Sequence, residues 1–226
     1  MYQQDFDGGK MYTFQVADDH PLFRNAILDV IKRHYPDSIV NASHDLDGTI
    51  RALEKNPDTD LLLLDIHMPG SQDLFGLIMV RQKFPTIPVA IISATDKNST
   101  INRAIGHGAC GYIPKSCAPQ DICAAISCML NGDHWVPEEI RSNLRPIDKE
   151  EKDLAGKVAT LTPQQYRVLC YLREGWLNKQ IGYEMGLTEA TIKAHITAIF
   201  RKLGITNRTQ TVISLNKLSL DETVSN

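Results

Sequence analysis

The sequence predicts an α/β domain on a five-stranded parallel, doubly wound sheet, followed by a smaller all-α domain of four helices. Three observations carry this. Leu61-Leu62-Leu63-Leu64 runs into Asp65 and stops at Pro69-Gly70, the pattern of a short strand buried on both faces. Four more short apolar segments alternate with segments of helical spacing over residues 13–130, which is how a parallel sheet with helices on both faces is written. After residue 158 the strand pattern disappears and only helical patterns remain.

The elements follow in order. Thr13–Ala17 is a strand ending at Asp18-Asp19, and Pro21–Tyr35 is a helix with apolar residues at Leu22, Ala26, Ile27, Val30 and Ile31. Pro21 suits a first helical turn, where its missing N–H costs nothing. Ser38–Ser43 is the second strand, Leu46–Asn56 the second helix and Leu61–Asp65 the third strand. Leu74–Phe84 is a helix stopped before Pro85; Val89–Ser93 is a strand; Ser99–His107 is a helix ended by Gly108. Gly111–Pro114 is the fifth strand and Ala118–Leu130 the fifth helix. Residues 131–157 read as a linker: Val136-Pro137-Glu138-Glu139-Ile140 turns into a short helix, and the charged run Asp148–Asp153 reads as solvated and partly helical. Pro163–Glu174, Asn178–Met185, Glu189–Leu203 and Arg208–Leu218 are the four helices of the tail, with Gly175, Gly186 and Gly204 as helix-ending residues. The domains expected are therefore 11–130, the linker 131–157, and 158–222.

Composition excludes several classes. An apolar fraction of 42% and a charged fraction of 23% are those of a soluble globular protein. No apolar run is long enough to cross a bilayer, and the polar, acidic start Met1–Lys10 is not a secretory signal. Five cysteines, with no C-x-x-C pair, read as small hydrophobes in a reducing cytoplasm. Residues 1–130 hold 11 Lys+Arg against 15 Asp+Glu, whereas residues 159–226 hold 8 against 5. An acidic front and a basic back point to different partners, the second compatible with nucleic acid.

In a doubly wound sheet the first and third strands are neighbours, so Asp18, Asp19 and Asp65 meet at the carboxyl edge, where such sheets bind ligands. Three carboxylates repel one another, and a hard divalent cation such as Mg²⁺ is their natural compensation. Ser93 ends the fourth strand with a hydroxyl and Lys115 follows the fifth with an ammonium. Taken singly, each of these residues is more often a turn, cap or surface residue. Together they form a site for phosphoryl transfer onto Asp65.

Val16-Ala17-Asp18-Asp19-His20, Leu64-Asp65-Ile66-His67-Met68-Pro69-Gly70, Ile92-Ser93-Ala94 and Gly111-Tyr112-Ile113-Pro114-Lys115-Ser116 resemble the receiver domain of bacterial two-component response regulators, a flavodoxin/CheY-like fold. The resemblance implies that Asp65 takes a phosphoryl group from a sensor histidine kinase or a small phosphodonor. It implies that Asp18, Asp19, Asp65 and the backbone carbonyl of His67 hold Mg²⁺, that Ser93 and Lys115 contact the phosphoryl oxygens, and that Ser93 and Tyr112 form the switch. His67 and Thr95 fall at positions that tune hydrolysis in the family. The loop after Met68-Pro69-Gly70 is two residues longer than the usual family spacing before Gly76. A haloacid-dehalogenase-type phosphatase also uses an Asp after a strand, but it places a second catalytic Asp where this chain has His67.

In the tail, Ile192, Ile196, Ile199 and Leu203 make one buried stripe of the third helix. Ala190, Lys193, Ala194, Thr197 and Arg201 lie opposite, a small, polar and basic surface suited to the DNA major groove. The preceding Met185-Gly186-Leu187-Thr188 is a tight turn with Thr188 as N-cap, giving a helix-turn-helix pattern that a plain α-hairpin can also show. Leu161-Thr162-Pro163-Gln164-Gln165, Asn178-Lys179-Gln180-Ile181-Gly182, Thr191-Ile192-Lys193-Ala194-His195 and Lys202-Leu203-Gly204-Ile205-Thr206-Asn207-Arg208 resemble the four-helix LuxR-type DNA-binding domain. With the receiver, this resembles the NarL/FixJ response regulators. The resemblance implies base reading by Lys193, Ala194 and Thr197 and phosphate contacts from Lys179, Thr191, His195, Arg201 and Arg208. It also implies promoter DNA, a second copy of the chain and RNA polymerase as partners, no membrane partner, no enzymatic turnover beyond self-phosphorylation and self-dephosphorylation, and a bacterial cytoplasmic location. It further implies that the unphosphorylated receiver shields the recognition helix.

Overall fold

The computed structural model describes residues 11–71, 73–142 and 144–211. The first ten elements are β1 (Thr13–Ala17), α1 (Pro21–His34), β2 (Ile39–Ser43), α2 (Leu46–Lys55), β3 (Leu61–Asp65), α3 (Phe75–Lys83), β4 (Val89–Ser93), α4 (Asn98–Gly106), β5 (Gly111–Pro114) and α5 (Pro119–Leu130). There follow α6 (Glu138–Arg141), α7 (Lys149–Val158), α8 (Pro163–Arg173), α9 (Asn178–Met185) and α10 (Glu189–Leu203). A last helix starts at Arg208 and reaches Thr211; most of the expected Arg208–Leu218 helix lies outside the described residues.

The strands form one parallel sheet in the order β2-β1-β3-β4-β5, the doubly wound arrangement expected. The leucine run occupies its centre. Leu61 and Leu63 pack with Ile27 and Ile31 of α1 and Ile122 and Ile126 of α5. Leu62 and Leu64 pack on the other face with Leu46, Leu53, Leu77 and Val80 of α2 and α3. All four leucines are fully buried, each contributing roughly 1.5–3 kcal/mol of burial free energy. Period-two alternation thus needs no polar partner here, because both faces are covered. The β5 edge is covered by residues 134–136: Tyr112 N–H donates to Trp135 O at 2.9 Å and Trp135 N–H to Cys110 O at 3.1 Å. A covered edge cannot template pairing with another chain.

The segment read as a solvated linker is more structured than its charge suggests. Asp148 Oδ1 accepts from Glu151 N–H at 2.6 Å, capping a complete helix, α7. Ala155 and Val158 on it are buried, and α7 packs against both α3 and α10. Its apolar residues are only a few among many charges, so composition hid the packing. One apolar cluster therefore runs from the α2–α4 face of the sheet through Val158 into Leu169 and Ile192 of the tail.

In the tail, α8 opens with a capping box. Thr162 Oγ1 accepts from Gln165 N–H at 3.2 Å, and Gln165 Oε1 accepts from Thr162 N–H at 3.1 Å. Thr162→Ala is expected to cost about 1 kcal/mol, read as a lowered urea midpoint with unchanged slope. The turn between α9 and α10 uses two glycines. Gly186 sits at φ 65 as the helix-ending residue. A Cβ on Gly182 would meet Leu187 O at 2.7 Å, so only glycine allows the turn to fold this closely back on α9.

Candidate functional site

The sheet delivers its polar strand ends to one place. Asp18 and Asp65 are fully buried and Asp19 is partly exposed. Lys115 reaches back from the end of β5, its Nζ 2.7 Å from Asp18 Oδ2 and 2.8 Å from Asp65 Oδ2. The same Nζ lies 4.8 Å from the centroid of Phe23, which walls it from water. Burial pulls the ammonium pKa down, but the hydrogen bonds and charges of Asp18 and Asp65 outweigh it and hold it above its ordinary value. Lys115 is therefore charged at neutral pH, and Coulomb attraction fixes it between the two carboxylates.

The remaining carboxylate oxygens meet backbone. Asp65 Oδ1 accepts from His67 N–H at 3.0 Å, and Asp18 Oδ1 from His20 N–H at 2.8 Å. Ser93 is fully buried; its Oγ accepts from Thr95 N–H at 3.2 Å. Tyr112 is turned inward and fully buried, its hydroxyl donating to Thr95 O at 2.6 Å. Burial raises that phenol to about 12, against the hydrogen bond with Ser93 that lowers it. His67 Nε2 lies 3.3 Å from Thr95 Oγ1, so the loops after β3 and β4 touch across the site.

Asp18, Asp19 and Asp65, with His20, bring ligand atoms within 4.8 Å of one another. Three carboxylates less one ammonium leave two negative charges on a mainly oxygen donor set. That charge and hardness fit the Mg²⁺ of receiver domains. His20 is the residue that sequence reading passed over. Its Nδ1 is 2.8 Å from Asp19 Oδ1, 3.5 Å from Asp18 Oδ1 and 3.9 Å from Asp65 Oδ2. Its position directly after the Asp pair was the available signal.

The second surface is α9–turn–α10. Thr188 Oγ1 accepts from Thr191 N–H at 3.1 Å, and Leu187 N–H donates to Gly182 O at 2.8 Å, which sets α10 against α9. Ile192, Ile199 and Leu203 are buried and Ile196 partly so. Lys193, Ala194, Thr197, Arg201 and Lys179 are exposed; Thr191 and His195 are half-buried. Arg208 is placed differently from the others. It is half-buried, and its Nη2 donates to Leu172 O at 3.3 Å and Trp176 O at 2.5 Å, satisfying carbonyls around the end of α8. The outward side chains of α10 face solvent.

Residues 14–127 match the family model described as response regulator receiver domain, and residues 159–215 match bacterial regulatory proteins, luxR family. The chain belongs to the response regulators that join a receiver to a LuxR-type helix-turn-helix, with homologues in the NarL/FixJ group. It is 41% identical to the glycerol metabolism activator of Pseudomonas putida, over 90% of this chain and 95% of that protein. It is 26% identical to the nitrate/nitrite response regulator protein NarL of Escherichia coli, over 89% of this chain and 93% of that one. A solved structure of two RcsB dimers bound to two parallel DNAs shares the fold, with a TM-score of 0.56, 22% identity and coverage of 93% of this chain and all of that one. The protein is thus a DNA-binding two-component response regulator, a transcription factor and not a classical enzyme. Among the described residues no helix is long and apolar enough to cross a membrane.

Proposed function

We propose that Asp65 accepts a phosphoryl group from a sensor histidine kinase in the bacterial cytoplasm, and that this charge change controls pairing and promoter binding by the tail. The observation that carries it is Lys115 bridging Asp18 and Asp65 at the buried sheet edge. An Asp65 carboxylate oxygen bonds to phosphorus as the donor's bond to phosphorus breaks. The phosphoryl group carries about −1.5 to −2 charges where the Asp65 carboxylate carried one, and Lys115 meets it directly. Ser93 turns its hydroxyl to a phosphoryl oxygen, releasing Thr95 N–H, and Tyr112 senses this through Thr95. Asp18, Asp19, Asp65 and the His67 carbonyl would hold Mg²⁺, which neutralises phosphoryl charge when bound. Lys193, Ala194 and Thr197 read bases; Lys179, Thr191, His195, Arg201 and Arg208 hold phosphates, Arg208 at the cost of its carbonyl contacts. Promoter DNA, a second copy and RNA polymerase are the partners of the tail. The working units are 11–130 and 158–222, joined by 131–157.

The test is recovery of genomic DNA fragments by the full chain with and without acetyl phosphate, alongside Asp65→Ala. Enrichment that rises with the donor in wild type alone supports the reading; donor-independent enrichment in both sinks it. His67→Ala removes the contact with Thr95 Oγ1 beside Asp65, and should shorten the life of phosphorylated Asp65 about tenfold, roughly 1.4 kcal/mol in barrier. Loss of acyl phosphate followed by intact mass gives the rate, and an unchanged rate would exclude the role.

A further inference from the structure

Along the outward face of α10, Ala190, Lys193, Ala194, Thr197 and Arg201 are exposed in turn. Spacings of three and four place them on one side of the helix. Their chemistry differs. Lys193 offers an ammonium, held 2.9 Å from Glu189 Oε1 on the same helix. Arg201 lies in the last turn, away from the N-terminal part of a recognition helix that meets base edges. Thr197 is the informative residue. Its Oγ1 donates to Lys193 O at 3.0 Å, one turn back. A hydroxyl has a single hydrogen, so the only donor of this side chain is spent on its own helix. What remains for a partner is its methyl group and the oxygen lone pairs. Ala194, three residues earlier on the same face, offers nothing but a methyl. Residues three apart bring their Cβ atoms within about 5–6 Å, so the two methyls make one small apolar patch beside the Lys193 ammonium.

The major groove has one apolar feature, the C5-methyl of thymine, and alanine and threonine methyls are side-chain groups that meet it. Against a purine the same patch would strip water from N7 and return no donor, which is unfavourable. Against cytosine it would bury no methyl and leave the N4 amino group only a Thr197 lone pair. We infer that Thr197 and Ala194 read the 5-methyl groups of thymines in neighbouring base pairs, beside the guanine met by Lys193, and that Thr197 reads through its methyl and not its hydroxyl. This rests on α10 as the base-reading helix and names what that helix selects. The bond to Lys193 O also holds Thr197 in one rotamer before DNA arrives, so little side-chain freedom is lost on binding. Methyl contacts neutralise no phosphate, so their share of the affinity does not fall with salt as the share of Lys and Arg does.

The test starts from a consensus duplex that the full chain, treated with acetyl phosphate and Mg²⁺, selects from a randomised library. Each thymine of the consensus is replaced in turn by deoxyuridine, which lacks only the 5-methyl. Gel shifts then compare wild type with Thr197→Val, Thr197→Ser and Ala194→Gly. Val keeps the methyl and removes the hydroxyl, Ser does the reverse, and Thr and Val are both β-branched, so the helix changes little. Wild type should lose about fourfold, the worth of one buried methyl, at each of two neighbouring thymines, equally at low and high salt. Thr197→Val should bind within about twofold of wild type and keep both losses. Thr197→Ser should become indifferent to deoxyuridine at one of the two positions and Ala194→Gly at the other. Each of these comparisons is made within one variant, so a change in helix stability cancels. A Val variant that loses affinity while the Ser variant keeps it would assign the reading to the hydroxyl and overturn the inference. So would a Ser variant that stays sensitive at both thymines, or a consensus in which no thymine responds to deoxyuridine. A library that yields no consensus would remove the base-reading role of α10 itself, and this inference with it.

Discussion

Asp65→Ala is expected to abolish phosphoryl incorporation from both kinase and acetyl phosphate, and to do so in a protein that is still folded. Asp18 is equally buried at the same edge and is held in the same way as Asp65, each by Lys115 on one oxygen and a backbone N–H on the other, so this variant also decides between the two carboxylates. Removing Asp65 relieves repulsion among three carboxylates, so the apo variant should melt no lower than wild type. What it should lose is stabilisation by Mg²⁺. A ligand at a hundred times its Kd stabilises by about 2.7 kcal/mol, and losing one of three carboxylates should remove most of that gain. Intact mass after donor treatment and melting curves with and without Mg²⁺ make the two measurements. Incorporation that persists in Asp65→Ala would move the acceptor to Asp18.

Lys193→Ala is expected to weaken binding to a selected promoter fragment by roughly 1–3 kcal/mol and to flatten discrimination at one base pair. Lys193 projects from the uncovered face of α10, its Nζ 2.9 Å from Glu189 Oε1 on the same helix. An exposed i, i+4 pair of this kind is worth only about 0.3–0.5 kcal/mol, so a guanine edge can displace Glu189. Arg201→Ala should behave differently, weakening all duplexes alike and lowering the salt slope by about 1. Quantitative gel shifts at several salt concentrations separate these outcomes. If Lys193→Ala loses equally on selected and random DNA, it is a backbone contact.

The contrast between these residues and the ion pairs Asp73–Arg173 and Glu151–Arg103, which join the two halves, shows what was legible in sequence. Leu61–Leu64 announced a central strand because burial on both faces removes alternation. The strand ends Asp18, Asp65, Ser93 and Lys115 could be assembled because parallel βα units have one dominant winding, so element order alone puts those ends at one edge. Ile192, Ile196, Ile199 and Leu203 gave the buried face of α10, and by exclusion its outer one. These are local or topological signals.

His20 was missed because a histidine beside an Asp pair carries no periodicity, and its ring closes on Asp19 only once the β1–α1 turn is formed. The partly helical, solvated run of the linker was legible, but not that α7 also buries Ala155 and Val158, because charges dominate its composition. Asp73 appeared in sequence only as part of a loop of unusual length. Its partner Arg173 lies a hundred residues away, and Glu151 lies 48 from Arg103. Sequence by itself therefore determined the two folds, the acidic edge of the sheet and which face of α10 is buried and which is exposed. Tertiary structure alone decided how the halves meet, because that contact depends on burial and charge complementarity between surfaces with no shared period, spacing or topological rule.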